Sequence, residues 1–293
     1  MNSQLLKKNA LAILLGSTGF IAIAQKFPAV QQVSLRAPAT IKIDGIPTEW
    51  GESLQAYNKN VELYYTIAND DENLYLTVQA TNPRIIQKLL MAGLVLSVNS
   101  TGKKDDANSS SITFPLLSAV NSRHVLIDAG MEPDVFADNS ASPRPADSLI
   151  ALANKTLLAN AKEFKIKGIK TIADTIPGVM GDKRPYFRLF TGFYQPGQYI
   201  AVDNKDGIKA TARFNDKKVL TYELAVPLKY FGLTKDSRQK FFYNIKLNGL
   251  MGDNGMPTIG VMITEKRVNG VTVDPNQDLD NSTDFWGEYT LAK

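Results

Sequence analysis

Two runs of strict alternation flank one acidic turn, and they limit the fold of this chain more than any other feature. Val61, Leu63, Tyr65 and Ile67 alternate with Glu62, Tyr64 and Thr66, and Leu74, Leu76, Val78 and Ala80 alternate with Tyr75, Thr77 and Gln79. A period of two places one set on a buried face and the other outside. The polar stretch Asn69 to Asn73 between them reads as a hairpin loop. The pair is therefore an antiparallel hairpin with one face against a core.

The later half repeats the pattern. Ile208, Ala210, Ala212 and Phe214 alternate with Lys209, Thr211 and Arg213; Asn215-Asp216-Lys217 then turns the chain into a strand over Val219 to Val226. Phe241, Tyr243, Ile245 and Leu247 form another strand, Ile259, Val261 and Ile263 a further one, and Phe285 to Leu291 the last. Short strands with turn signals and no βαβ rhythm point to an all-β, antiparallel β-sandwich. Helical spacing is confined to short stretches. Ile85, Ile86, Leu89 and Leu90 lie on one face of a helix ending at Gly93, and a second helix starts at Asp147 as N-cap. Leu94 to Val98 and Phe164 to Gly168 read as strands. Residues 99–111 read as a polar loop and 112–146 as mostly irregular, so an irregular and helical insertion is expected around 99–165 of a single domain over 41–293.

The N-terminus carries Lys7-Lys8, an apolar run from Ala10 to about Ala24, and Ala22-Ile23-Ala24 as a small-x-small site. That order reads as a cleaved secretory signal peptide over 1–24, followed by an exposed leader over 25–40. The run is too short, and too rich in Gly, Ser and Thr, to span a membrane comfortably. An exported protein, periplasmic or extracellular, with no integral span in the mature chain is expected. Losing two Lys and no acids takes the net charge from +4 to +2. That is too little to point to nucleic acid. The chain has no Cys, which removes disulfides, thiolate nucleophiles and thiolate metal sites together.

Three motifs give these elements a context: Ile43-Asp44-Gly45 followed by Glu49-Trp50; Asp70-Asp71-Glu72-Asn73-Leu74-Tyr75-Leu76; and Tyr222-Glu223-Leu224-Ala225-Val226-Pro227. With the closing Phe285-Trp286-Gly287-Glu288-Tyr289-Thr290-Leu291 they resemble, in order, the family 9 carbohydrate-binding modules and their wider DOMON-like relatives. The resemblance implies a jelly-roll or immunoglobulin-like sandwich, often calcium-stabilised, that binds sugar without cleaving it. Sugar binders of that family present Trp at the cleft, whereas Trp50 and Trp286, the only two here, lie in the structural motifs.

The residues themselves offer little catalytic machinery. His124 is the only histidine; its neighbours Arg123, Val125, Leu126 and Ile127 read as a strand edge, and no G-x-S-x-G elbow occurs. One histidine excludes a multi-histidine zinc site and bis-histidine haem ligation. A glycosidase would need two facing acids about 5–10 Å apart; Glu223 in its strand, with Asp203 and Asp206 in a nearby loop, are the acids considered. Asp278, Asp280 and Asp284 share a polar loop with Asp274, Asn276 and Asn281, which reads either as solvated or as a set of oxygens for Ca²⁺. Asp70, Asp71 and Glu72 form a weaker cluster. The densest aromatic stretch runs from Tyr186 to Tyr194 and continues to Tyr199. There Tyr186, Tyr194 and Tyr199 can stack on a sugar face while Arg188 donates hydrogen bonds, unless the rings only complete the core. Asn99, Asn108, Asn154 and Asn281 head glycosylation-type triplets and read as loop residues. The function expected is a non-catalytic, exported carbohydrate-binding protein. The alternatives are a cell-envelope assembly protein docking on a partner protein, and a glycoside hydrolase using an acid pair.

Overall fold

A computed structural model describes residues 27–51, 54–132, 145–170, 175–176, 198–251, 266–268, 271–273 and 277–293. The strands are β1 (Ala56–Asn58), β2 (Leu63–Asn69), β3 (Asn73–Ala80), β4 (Leu94–Asn99), β5 (Ser110–Phe114), β6 (Glu163–Lys167), β7 (Thr175–Ile176), β8 (Gln198–Ala201), β9 (Lys209–Phe214), β10 (Leu220–Pro227), β11 (Phe241–Leu247), β12 (Lys266–Val268), β13 (Val271–Val273) and β14 (Thr283–Tyr289). Among the described residues, three helices of ten residues or more interrupt them: α1 (Pro83–Ala92), α2 (Ala119–Asp128) and α3 (Ala146–Asn160). A short helical turn covers Gln277–Asp280.

The strands form two antiparallel sheets and a small β12–β13 pair. One sheet has five strands in the order β1-β2-β3-β10-β9, and the other has seven in the order β14-β11-β4-β5-β6-β8-β7. The alternation read from the sequence sets which side chains meet. Leu63, Tyr65 and Ile67 of β2, Leu76 and Val78 of β3, and Tyr222 and Leu224 of β10 face inward, fully buried. They meet Leu96 of β4, Ile112 of β5, Phe164 of β6, and Tyr243 and Ile245 of β11 in one core. Rings join the layers: Tyr65 packs on Phe285 at 5.1 Å between centroids, and Phe114 packs on Tyr222 at 6.0 Å. At the centre the hydroxyls of Tyr65 and Tyr243 are hydrogen-bonded at 3.0 Å. The sandwich expected from the pattern is the observed architecture.

The hairpin is β2 and β3, with Ile67 opposite Leu76. Its loop is built by Asp70, whose carboxylate accepts from the Glu72 and Asn73 amides at 2.7 and 2.6 Å and from the Tyr75 hydroxyl at 2.6 Å. Helix α1 runs as expected. Asn82 caps its start by accepting from the Arg84 amide, and Gly93 ends it at φ 82°. A methyl at Gly93 would lie 2.9 Å from both the Pro115 carbonyl and Thr113, so glycine is required by space as well.

Four readings differ from the structure. The chain after residue 27 is not a free leader. Gln31 is only 5% exposed; its side chain accepts from the Ile67 amide and donates to the Ile67 carbonyl, both at 2.8 Å. Farther along, Leu35 and Ala37 exchange hydrogen bonds with Asn69. The short β1 covers only Leu63 to Tyr65 of that β2 edge, so the leader takes the amides left over. Second, Ser110–Phe114 is a strand in the middle of the seven-stranded sheet, not a loop. Only Ile112 and Phe114 point inward, too few to show a period among serines and prolines. Third, His124 is exposed on α2, whose cap is the Ser118 hydroxyl accepting from the Asn121 amide. A short apolar run such as Val125 to Ile127 fits a helix as well as a strand. Fourth, α3 begins at Ala146 after Pro145, with Asp147 in its first turn. Asn154 lies within α3, where its amide bonds both the Phe214 amide and carbonyl at the β9 edge, at 2.8 and 2.9 Å. The expected strand over Ile259 to Ile263 lies outside the described residues.

Candidate functional site

The outward face of the five-stranded sheet is built from rows of cross-strand neighbours. Tyr75, Ala225 and Lys209 form one row, and Thr77, Glu223 and Thr211 the next. Residues 41–50 cross these rows as a strap and end in a 3-10 turn over Thr48–Trp50. The Trp50 indole N–H donates to the Thr77 hydroxyl at 2.9 Å. One row-mate away, Oε2 of Glu223 accepts from the backbone amides of Asp44 and Gly45 at 2.9 and 2.8 Å. Two of the motifs read from the sequence are thus joined through one carboxylate. Gly45 has φ 77°, and a methyl there would lie 2.5 Å from Cβ of Arg213. Only glycine lets the strap sit this close.

The electrostatics under the strap are acidic. Burial pushes the Glu223 carboxyl up, the two amides pull it back, and Glu49 and Asp44 push it up again, so that it rests at about 7. Glu49 offers Oε1 to the Lys42 amide at 3.2 Å, while its buried Oε2 has no hydrogen-bond partner among the described residues. Asp44 turns its own carboxylate to the Ile46 amide at 2.9 Å.

Beside this anchor the strap walls a cleft of about 370 Å³. Tyr75, Ala225 and Lys209 line it from one row of the sheet and Ile41, Lys42 and Ile43 from the strap, with Asn73 and Gly207 completing the lining. The Tyr75 ring is held in place because its hydroxyl donates to Asp70. Burial pushes the Asp70 carboxyl up, but hydrogen bonds from Tyr75, Asn73 and Glu72 outweigh it and hold the carboxyl below its ordinary value. Asp70 is therefore occupied within its own loop. Lys42 and Lys209 are exposed, and neither forms an ion pair among the described residues. The cleft thus combines the Tyr75 ring and aliphatic side chains with the cationic Lys42 and Lys209 and the Asn73 amide.

The residues singled out from the sequence fall elsewhere. Tyr186, Arg188 and Tyr194 lie outside the described residues. Tyr199 is half-buried in β8, paired with Lys165 and Ile176. It lies on the outward face of the seven-stranded sheet, since its neighbour Ile200 points into the core. Asp284 shares that outward face at the other end of the sheet, where it accepts from the Asn244 amide at 2.6 Å. Asp278 is engaged by Arg84 through two N–H donors at 2.6 and 3.1 Å, and Asp280 closes the turn Gln277–Asp280. Among the described residues no group of three carboxylates or histidines is placed to hold a metal ion. Glu223 binds the strap, and Asp206 accepts from the Tyr230 hydroxyl at 2.5 Å.

Sequence reasoning missed the cleft. Its lining comes from four separate segments, and only the row register of β3, β10 and β9 brings them side by side. The readable signal was the presence of Asp44-Gly45, Tyr75 and Glu223 in the three motifs. No protein-family model matches the chain, and no curated protein shows significant similarity to it.

Proposed function

We propose that the protein is an exported, non-catalytic binding protein that holds a carbohydrate in the cleft between the strap and the five-stranded sheet. One observation carries this reading: a cleft of about 370 Å³ lined by the Tyr75 ring and Ala225 together with the donors Lys42, Lys209 and Asn73. Small-ligand sites combine an apolar surface with a few placed polar groups in this way. The Tyr75 ring and Ala225 suit the C–H face of a sugar, and the donors suit its hydroxyls. The resemblance to family 9 carbohydrate-binding modules supports the same class of ligand. Glu223 is 1% exposed and committed to two amides, a placement suited to holding the strap.

A glycan array followed by titration calorimetry on the mature chain tests the reading. Saturable binding that falls at least ~10-fold, about 1.4 kcal/mol, in Lys42→Ala/Lys209→Ala would support the cleft. Binding lost instead in Tyr194→Ala/Tyr199→Ala would move the ligand to the aromatic stretch. No glycan bound by the folded protein would overturn the proposal in favour of a docking role on an envelope partner.

A further inference from the structure

The strap meets the sheet through carboxylates. Glu223 supplies the acceptor for two consecutive strap amides, and it is almost wholly buried. Glu49 reaches under the strap from its far end with one buried oxygen that has no partner among the described residues. Asp44 gives its amide to Glu223 and turns its own carboxylate to the Ile46 amide. The charged groups around Glu223 can be named from every side. The strap brings Asp44, Glu49 and the exposed Lys42; β9 brings Arg213 and Lys209, both exposed; β3 contributes the uncharged Thr77, Tyr75 and Gln79. No ion pair to Glu223 forms among the described residues.

We propose that the strap over residues 41–50 is a proton-controlled latch: a proton on the buried Glu223 carboxyl seats it on the sheet, and loss of that proton loosens it together with the cleft wall it carries. A protonated Glu223 still accepts both amides on Oε2, so the anchor survives protonation. Deprotonation places a full charge in a buried site beside a second carboxylate, where burial and like charge both oppose it. The Glu223 carboxyl accordingly lies at about 7, above its ordinary 4.5. A carboxyl raised on folding contributes stability that is whole below its unfolded value and is lost as pH rises through the folded one. The latch is therefore tight in mild acid and loosens across neutrality. Its two ends differ. The Trp50–Thr77 bond carries no charge and is indifferent to pH, so release begins at Asp44-Gly45, next to the cleft wall Ile41 to Ile43. The effect on ligand binding rests on the cleft reading; the latch itself does not.

The test uses the chain's own reporter. With Trp286→Phe in the background, Trp50 is the sole tryptophan, and its emission is followed from pH 5 to 9 without ligand. The expected result is one transition centred near pH 7, absent in Glu223→Gln. Glu49→Gln removes the like charge and moves the midpoint to lower pH, which a merely structural glutamate would not do. If Glu223→Gln fails to fold, judged by far-UV circular dichroism, the Glu49→Gln shift alone decides. No transition in the parent, a transition that persists in folded Glu223→Gln, or a midpoint unmoved by Glu49→Gln would overturn the proposal. Because no ligand is added, failure of glycan binding leaves this readout intact.

Discussion

Removing a single oxygen from Tyr65 tests whether the two sheets are held by the contacts seen between them. The Tyr65 hydroxyl accepts from the Gln31 amide at 2.9 Å and bonds the Tyr243 hydroxyl at 3.0 Å, with both rings fully buried. Tyr65→Phe keeps the ring contacts with Phe285 and Tyr243 but strands two polar groups, the Gln31 N–H and the Tyr243 O–H. Each buried, unsatisfied group costs about 1–3 kcal/mol, so the expected loss is about 2–6 kcal/mol. Tyr243→Phe is milder. It leaves Tyr65 with the Gln31 amide and removes one bond, for about 1–2 kcal/mol. The double variant should cost less than the sum by about 1–2 kcal/mol, because the hydroxyl stranded by the first change is gone in the second. Urea unfolding of the four proteins, with slopes compared to confirm an unchanged transition, measures the cycle. Equal single losses, or strict additivity, would refute the placement of these hydroxyls at the centre of the core.

Other outcomes follow from the same geometry. Gly45→Ala, at φ 77° with its new methyl 2.5 Å from Arg213, should lower stability by about 1–3 kcal/mol and shift Trp50 emission as the strap lifts. Gly287→Ala would drive a methyl into the Tyr243 ring, 2.1 Å from its Cζ, and should cost more than Gly45→Ala in thermal melts, since the buried ring has less freedom to give. Lys88 is a fully buried cation whose ammonium donates to the Thr283 hydroxyl at 3.2 Å. Burial pulls its pKa down, with Asp278 and Glu62 only partly restoring it. Burying the cation therefore costs stability, and Lys88→Met should leave stability unchanged or raise it by up to ~2 kcal/mol at pH 7; a clear drop in the unfolding midpoint would contradict this. The parent's melting temperature should also gain less than that of Glu223→Gln between pH 5.5 and 8, since only the parent ionises a buried carboxyl there.

Much of the sandwich was legible because the evidence for it is local. The alternation in β2, β3, β9, β10 and β11 is a property of adjacent residues, and it carries over directly into which side chains enter the core. The elements that were misread lacked that local signal. Ser110–Phe114 shows two apolar positions, Val125 to Ile127 fits either period, and Gln31 is a polar side chain whose partner lies 36 residues away. The candidate site was legible only in fragments: Asp44-Gly45, Asn73, Tyr75 and Glu223 each stood in a motif read from the sequence, while Lys42 and Lys209 carried no mark of a shared purpose.

By itself the order of residues settled the class of architecture, the places where the backbone turns, and the absence of thiol chemistry. Each depends on neighbours along the chain or on a simple count. Only the folded molecule decided that the carboxylate of Glu223 would serve amides 178 and 179 residues earlier, and that Lys42 and Lys209 would face one cleft. Strand register chooses the partner of an outward side chain, and register is set by how two whole sheets bury their inner faces, a condition that no short window of sequence contains.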